Sequence, residues 1–308
     1  MFPKLRATWV EMLAGNHANS TRRQIIASCR DAAFMGTIQR LGSLDENELP
    51  VNSQLMEMLV LGYAFRQALA IRRLVDRGSD VFSLRRVVES MKKNRHALTR
   101  QNIVGHDGCP WNAGAASSAW TASIDPEDVA RGETHLGDQG LTRSFIDSDL
   151  RNGAFDRISE LGTVGRDNPQ DKVSEYVLDR LLKEMDDQRV KRVTGFVNKF
   201  VAHADAKADL ADPALSPTNS DVKQALRSLT QIQTFLTAHV LFESSGSVVP
   251  VPQFDHLEHL EKPVIPPTKI GLARDVWREE SKLIDDWARD DLAMDMFFHR
   301  SFLGTMPK

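Results

Sequence analysis

Apolar residues recur along the chain mostly at steps of three and four positions, which is the spacing of one face of an α-helix. Runs of β-branched residues are short, and aromatic residues make up only 7% of the chain. This composition gives little support for β-strands. The pattern therefore predicts an all-α fold, a helical bundle.

The same spacing sets approximate limits for the helices. Ser20 or Thr21 is suited to cap the second helix, and Gly78 is suited to end the third. The longest apolar pattern begins near Asp171. We expect helices over residues 5–13, 21–42, 52–78, 84–98, 171–205 and 270–289, a partner helix over 220–242 that Ser220 caps, and short helical segments between 125 and 161.

Two regions interrupt the helical pattern. Residues 105–120 are rich in Gly, Ala, Ser, Pro and Trp, and we place a long loop at about 105–124. Residues 244–267 contain five prolines, which a continuous helix does not accommodate. We therefore expect a bundle over residues 1–245 and a peripheral, proline-bounded C-terminal helical extension over 246–308.

Composition narrows the class of protein. The chain carries 39 Lys and Arg against 42 Asp and Glu, a net charge of −3, which argues against coating nucleic acid through bulk charge. Its two cysteines form no CxxC pair, so a disulfide framework or a zinc site is not expected. The most apolar run, residues 55–65, contains Glu57 and is too short to cross a bilayer. We expect a cytoplasmic protein without a membrane partner.

One segment, residues 198–205, carries a recognisable pattern. It places His203 near the end of the long predicted helix, with Lys199 one turn and Arg192 three turns before it. Two fixed cations disfavour protonation of a neighbouring histidine, and all three groups are able to contact one phosphate. A purely structural histidine at a helix edge is the alternative, and the pattern alone leaves both interpretations open.

The sequence Asn-Lys-x-x-Ala-His-x-Asp in this segment resembles the motif helix of HEPN proteins, particularly the subgroup found near abortive-infection phage-defence systems. Further stretches similar to that subgroup are Ala68 with 71–76, 83–86 and 107–111. The resemblance covers roughly residues 50–245, and its specific part is the histidine segment.

The resemblance implies a dimerising helical bundle whose active members cut RNA without a metal or cofactor. In those members an Arg, often followed by Asn, precedes the His, and these groups from two subunits act on a 2′-hydroxyl and the adjacent phosphate. Asn198 and His203 match this motif, whereas Val197 stands where the family has its Arg. Lys199 or Arg192 is then expected to supply the missing cation.

A second basic cluster surrounds the predicted turn at Gly78 and has two interpretations. It is either a phosphate-binding surface or a solvated face neutralised by Asp76 and Asp80. The resemblance implies in addition that Arg73 pairs with Asp76 to fix the bundle. The cluster consists of Arg72, Arg73, Arg77, Arg85 and Arg86.

Three weaker patterns remain. His256 and His259 have an HxxH spacing without a third ligand, so no metal site is expected. His106 is next to Asp107 in the long loop. Trp111 and Trp120 are suited either to stack on bases or to anchor the loop on the core.

The leading hypothesis is a HEPN-like, metal-independent ribonuclease or RNA-binding protein of a bacterial defence or toxin–antitoxin system. Its expected partners are a second copy, RNA and a cognate antitoxin or defence partner. The alternative is a catalytically inactive helical dimer that acts as a protein-interaction module. In the leading hypothesis the catalytic residues are His203, Asn198 and Lys199, and the phosphate or RNA contacts are Arg192, Arg72, Arg73 and Arg86.

Overall fold

The computed structural model describes residues 1–42, 53–112, 139–201, 216–243, 247–249 and 267–287, together with the single positions 114, 118, 212 and 258. These residues form α-helices with short 3-10 and π turns, and no strand occurs among them. The all-α prediction is therefore confirmed for this part of the chain. The chain divides into two compact units, Met1–Pro250 and Val251–Lys308.

Nine helices of the first unit and one of the second are described. They are α1 (Phe2–Ala14), α2 (Thr21–Gly42), α3 (Ser53–Leu74), α4 (Leu84–Lys93), α5 (Arg100–Val104), α6 (Gln139–Asp156), α7 (Glu175–Met185), α8 (Gln188–Phe196), α9 (Asn219–Phe235) and α10 (Ile270–Trp287). A π turn follows α8 over Val197–Val201, and another follows α9 over Leu236–Val240.

The prediction of one long helix over 171–205 is wrong. Helix α7 ends at Met185, and Asp187 begins α8 by accepting a hydrogen bond from the backbone N–H of Arg189 at 2.9 Å. Aspartate favours the first position of a helix over its interior because its short side chain binds free backbone N–H groups. The Asp186-Asp187 pair therefore breaks a helix that apolar spacing alone would continue.

The other predicted helix limits are closer to those in the structure. Helix α3 ends at Leu74, before Gly78, and α4 ends at Lys93, where a 3-10 turn over Arg95–Ala97 follows. Helix α9 is capped by Thr218 instead of Ser220. The side chains of Thr218 and Asp221 each accept from the other's backbone N–H, which satisfies both ends of a capping box.

Helix α3 lies at the centre of the first unit. It contacts α2, α8 and α9, while α9 also contacts α2 and α8, and α4 contacts α7. The buried side chains come mainly from these helices and from α1, and their removal from water is the main stabilising contribution to the bundle. Fully buried members include Trp9, Leu13, Ile25, Ile71, Leu74, Leu84, Val193, Val197, Leu229 and Leu236.

The start of the long loop is held against the bundle. Trp111 packs on the core, and its backbone carbonyl accepts a hydrogen bond from Asn152 Nδ2 at 2.9 Å. Ser148 donates to the carbonyl of Pro110. These contacts favour the anchoring role for Trp111, whereas Trp120 lies outside the described residues.

In the second unit, the helix predicted at 270–289 is present as α10, Ile270–Trp287. Its apolar side chains Leu272, Val276 and Trp277 are exposed. His256 and His259 lie outside the described residues. Within the part of the chain that is described, no helix is both long and apolar enough to cross a membrane.

Candidate functional site

The predicted motif helix contains the π turn Val197–Val201, and this turn presents Asn198 and Lys199 at the surface. A π turn is wider than an α turn, so the α-helical angle of about 100° per residue does not carry through it. The predicted alignment of Arg192 and Lys199 along one flank assumed that angle. His203 follows two residues after the turn and lies outside the described residues.

Val197, where the resemblance predicts an arginine, is fully buried and belongs to the hydrophobic core. An arginine at this position would have to bring its charge into an apolar environment, which is unfavourable without a paired carboxylate. Packing therefore explains the valine at this position, because the side chain of residue 197 is part of the core.

Arg72, at the end of α3, contacts the motif residue Asn198. Its Nε donates a hydrogen bond to Asn198 Oδ1 at 2.9 Å, across 126 positions of sequence. We predicted Arg72 as a phosphate ligand but expected Lys199 or Arg192 to accompany Asn198. The sequence could not indicate this contact because it depends on how α3 packs against α8.

Asp76 fixes the other side of the Arg72 guanidinium. Arg72 Nη1 donates to Asp76 Oδ2, the backbone N–H of Gly78 donates to Asp76 Oδ1 at 2.8 Å, and Ser83 Oγ donates to the Asp76 carbonyl at 2.7 Å. Burial alone would raise the pKa of Asp76, but the hydrogen bonds from Gly78 and Arg72 outweigh it and lower that pKa. Asp76 therefore stays ionised and holds the arginine in place.

The expected pairing of Arg73 with Asp76 is wrong. Asp76 forms its ion pair with Arg72, because Asn198 already holds Arg72 Nε and leaves Nη1 towards the carboxylate. Arg73 is exposed, and the described residues give it no ion pair. It remains a surface cation beside the site.

Arg192 contacts the capping box of α9. Its Nη1 donates to Asp221 Oδ2 at 2.8 Å, which links α8 to the capping box of α9. Burial would raise the pKa of Asp221, but the hydrogen bonds from Thr218 and Arg192 lower it. Arg192 is thus tied to a neighbouring helix, and the prediction that it stabilises a phosphate has no support in this geometry.

The remaining arginines near Gly78 are also held. Arg86 Nη1 donates to the carbonyl of Val81 at 3.0 Å. The buried Arg85 binds Asp186 at 2.7 Å, and Arg77 lies 3.6 Å from the same carboxylate. Asp186, at the break between α7 and α8, neutralises this part of the cluster, where we had expected Asp80.

An aromatic contact joins the same two helices that Arg72 and Asn198 join. The rings of Phe65 on α3 and Phe196 on α8 lie 6.0 Å apart with planes 14° from parallel. Phe196 in turn lies 5.6 Å from Phe200 on the π turn. Phe65 is exposed although it belongs to the apolar pattern of the predicted helix 52–78.

The partners of His106 and Asp107 lie on α5 and α6. Asp107 accepts two hydrogen bonds from Arg151, both at 2.8 Å, and His106 Nδ1 lies 3.0 Å from the carbonyl of Ile103. Burial and the nearby Arg6 lower the pKa of His106, so the ring is held neutral. These contacts tie the loop to α5 and α6.

The Arg72–Asn198 pair can stabilise an anion. A guanidinium has five N–H donors, of which the described contacts use two, and 37% of the Arg72 side chain is exposed. The remaining donors suit the oxygens of a phosphate group. No family model matches the chain, and comparison with curated proteins and with solved structures gave no match.

Proposed function

We propose that the chain binds RNA at the Arg72–Asn198 pair and, with His203, cleaves it without a metal. The observation that carries the proposal is the hydrogen bond from Arg72 Nε to Asn198 Oδ1. It gives the motif segment an arginine although position 197 is a buried valine. Asn198 then acts as the positioning residue for Arg72, with Asp76 holding the guanidinium from the other side.

The proposed reaction is an internal transesterification. The 2′-oxygen of one nucleotide forms a bond to the adjacent phosphorus, and the bond from phosphorus to the 5′-oxygen breaks. His203 removes the proton of the 2′-hydroxyl, and a proton is returned to the departing 5′-oxygen, so the products are a 2′,3′-cyclic phosphate and a 5′-hydroxyl. Arg72 stabilises the charge that builds up on the phosphate oxygens.

Surface cations beside this pair extend the site. Lys199 lies next to Asn198 on the π turn and is exposed, and Arg73 is exposed next to Arg72. In this proposal both contact neighbouring phosphates of a bound strand. In the proposed setting, a bacterial defence or toxin–antitoxin system, a cognate antitoxin or defence partner would control access to this surface.

Incubation of the purified full chain with mixed RNA, in EDTA throughout, tests the proposal. We expect fragments with 2′,3′-cyclic phosphate ends that the His203→Ala and Arg72→Ala variants do not produce. Arg180→Ala is the matched control, because Arg180 is an exposed arginine that pairs with Glu184 of its own helix at 2.7 Å. Gel analysis and end-group identification are the readouts.

Cleavage that persists in both the His203 and Arg72 variants would contradict the proposed mechanism. If the native chain does not cleave, RNA binding is measured with the same variants. Binding that Arg72→Ala weakens and Arg180→Ala does not would retain the RNA-binding part of the proposal. Absence of both cleavage and binding would contradict all of it.

A separate observation favours a second candidate function, a helical dimer that acts as an interaction module. Four consecutive apolar residues of α3, Met58 to Leu61, are between 39% and 66% exposed. At about 100° per residue they surround the helix, so this segment offers apolar surface on every side. Such surfaces on soluble proteins commonly mark interfaces.

A second copy of the chain is the occupant that this segment fits. Residues 58–65 contain no charged side chain, so two such segments can meet without burying an ionised group. We expect Leu61→Glu to reduce the mass measured by light scattering to that of one chain. Leu150→Glu is the control, since Leu150 is an equally apolar exposed residue on α6. Equal masses for all variants would contradict this candidate.

A further inference from the structure

The surface beside Arg72 contains an exposed aromatic ring with a defined partner. Phe65 packs on Phe196 in an offset, nearly parallel arrangement, with ring centres 6.0 Å apart. Phe65 nevertheless keeps 41% of its surface exposed. A ring held on one side and exposed on another is able to accept a further flat group.

The ring of Phe65 lies on the same face of α3 as Arg72. Phe65 and Arg72 are seven residues apart on α3, so they lie on the same face about 10 Å apart along the helix axis. Phe65 contacts Phe196 at the end of α8, and Arg72 contacts Asn198 on the π turn that follows. The apolar ring and the cation thus lie along one line at the contact between α3 and α8.

This juxtaposition matches the needs of a single nucleic-acid strand. A strand presents phosphates to a cation and flat bases to an aromatic ring, and every base is able to stack irrespective of its identity. A base within a duplex is already stacked on its neighbours and unavailable to a protein ring. An apolar protein partner would cover Phe65 but would gain nothing from the guanidinium beside it.

We infer that Phe65, supported by Phe196, is a base-stacking subsite for single-stranded RNA whose phosphate binds at Arg72. This inference rests on the proposed function, because it names the form of RNA that the same site accepts. The subsite is indifferent to base identity. It selects unpaired strands over duplexes.

Binding of a fluorescein-labelled 2′-O-methyl oligouridylate, measured by anisotropy in EDTA, tests the inference. The 2′-O-methyl group blocks cleavage, so the measurement reports affinity alone. We expect Phe65→Leu to weaken binding about fivefold or more, because stacking on an aromatic ring contributes at least that factor per base. Phe65→Tyr should bind within about twofold of the native chain, since it keeps the ring.

The duplex formed with the complementary strand should compete poorly with the labelled single strand. Tyr176→Leu is the matched control, because Tyr176 is an exposed aromatic residue on α7, outside both proposed surfaces. It should leave the affinity unchanged. Thermal unfolding of each variant checks that Phe65→Leu keeps the contact between α3 and α8.

The outcomes separate this inference from the proposed function. If Arg72→Ala weakens binding but Phe65→Leu does not, the stacking subsite is wrong and the RNA site stands. If the native chain does not bind the strand, both are wrong. If Phe65→Leu changes the oligomeric mass without changing the affinity, Phe65 belongs to an interface between protein chains and the inference is overturned.

Discussion

Arg100 and Arg72 both join segments that lie far apart in the sequence, one inside the protein and the other at its surface. Arg100 is fully buried. Its guanidinium donates to Asn152 at 2.8 Å and lies 2.8 Å from Asp156, 3.0 Å from Asp171 and 4.7 Å from the centre of the Phe155 ring. Arg72 binds one amide and one carboxylate and stays partly exposed.

The difference separates a structural arginine from one that can bind a ligand. Arg100 faces two carboxylates and is enclosed, so no space is left for a further anion. It holds the end of α6 against the irregular segment that contains Asp171, where only isolated bridges provide regular pairing. Arg72 faces one carboxylate, and 37% of its side chain is exposed.

Substitution of Arg100 by Met should have the largest effect on stability. Removal of one partner from a buried ion pair leaves charged groups without compensation, which typically costs about 3–5 kcal/mol. We expect that loss in the free energy of unfolding measured with urea. Arg180→Met, at an exposed pair on α7, should cost less than about 1 kcal/mol. Equal losses would show that burial does not distinguish the two arginines.

Sequence patterns could not separate these arginines because both owe their role to distant partners. The partners of Arg100 lie 52 to 71 positions away, and Asn198 is 126 positions from Arg72. Periodicity predicts which face of a helix is apolar, and it located the first residues of α2, α3, α4, α9 and α10 to within one position. It carries no information on which charged side chains meet across the bundle.

Only those features of the candidate site that depend on neighbouring positions in the sequence could be predicted. Asn198 and the basic residues near Gly78 were found from the sequence, but the partner of each depends on packing. The Asp186-Asp187 pair was a local signal for a helix break that the apolar pattern concealed. The π turn at Val197 left no comparable signal, since its residues suit an ordinary helix equally well.

Val197→Arg would place an arginine in an environment different from those of Arg100 and Arg72, namely the apolar core with no carboxylate to pair with. We expect a loss of about 3 kcal/mol in unfolding free energy, because a charge and a longer side chain enter a packed apolar site. The neighbouring Asn198 is exposed, so the long side chain can partly reach water, which keeps the loss below that for Arg100.

Val197→Met is the control for size, and it should cost less than about 1.5 kcal/mol. RNA cleavage should not increase in Val197→Arg although the variant introduces the arginine that the resemblance predicts there. An arginine at 197 that leaves stability unchanged and raises activity would show that position 197 is able to face the site, contrary to its burial in the core.

The pair of Arg192 and Asp221 lies between the two extremes, with the carboxylate buried and the arginine partly exposed. Asp221→Asn should cost about 1–2 kcal/mol, since it weakens both the capping box and the ion pair. The folded-state pKa of Asp221 is below its unfolded value. Its contribution to stability is therefore present above the unfolded pKa of about 3.9 and is lost as the pH falls through the folded pKa.

Urea unfolding at a series of pH values checks this. The difference between the native chain and Asp221→Asn should be constant from about pH 7 to pH 5 and should shrink below about pH 4. A difference that grows as the pH falls would give the wrong sign and would contradict an ionised, stabilising carboxylate at this cap.

Of these substitutions, Arg72→Ala should have the smallest effect on stability, in contrast to Arg100→Met. A partly exposed ion pair contributes at most about 1 kcal/mol, and solvent screens it further. The same substitution removes the only arginine that the described residues place against Asn198, so the loss should appear in RNA affinity and cleavage. Arg72→Lys keeps the charge but not the forked geometry, and we expect it to recover stability more fully than activity. If Arg72→Ala instead destabilises the chain as strongly as Arg100→Met, then Arg72 is a second structural arginine, and its exposed donors serve no ligand.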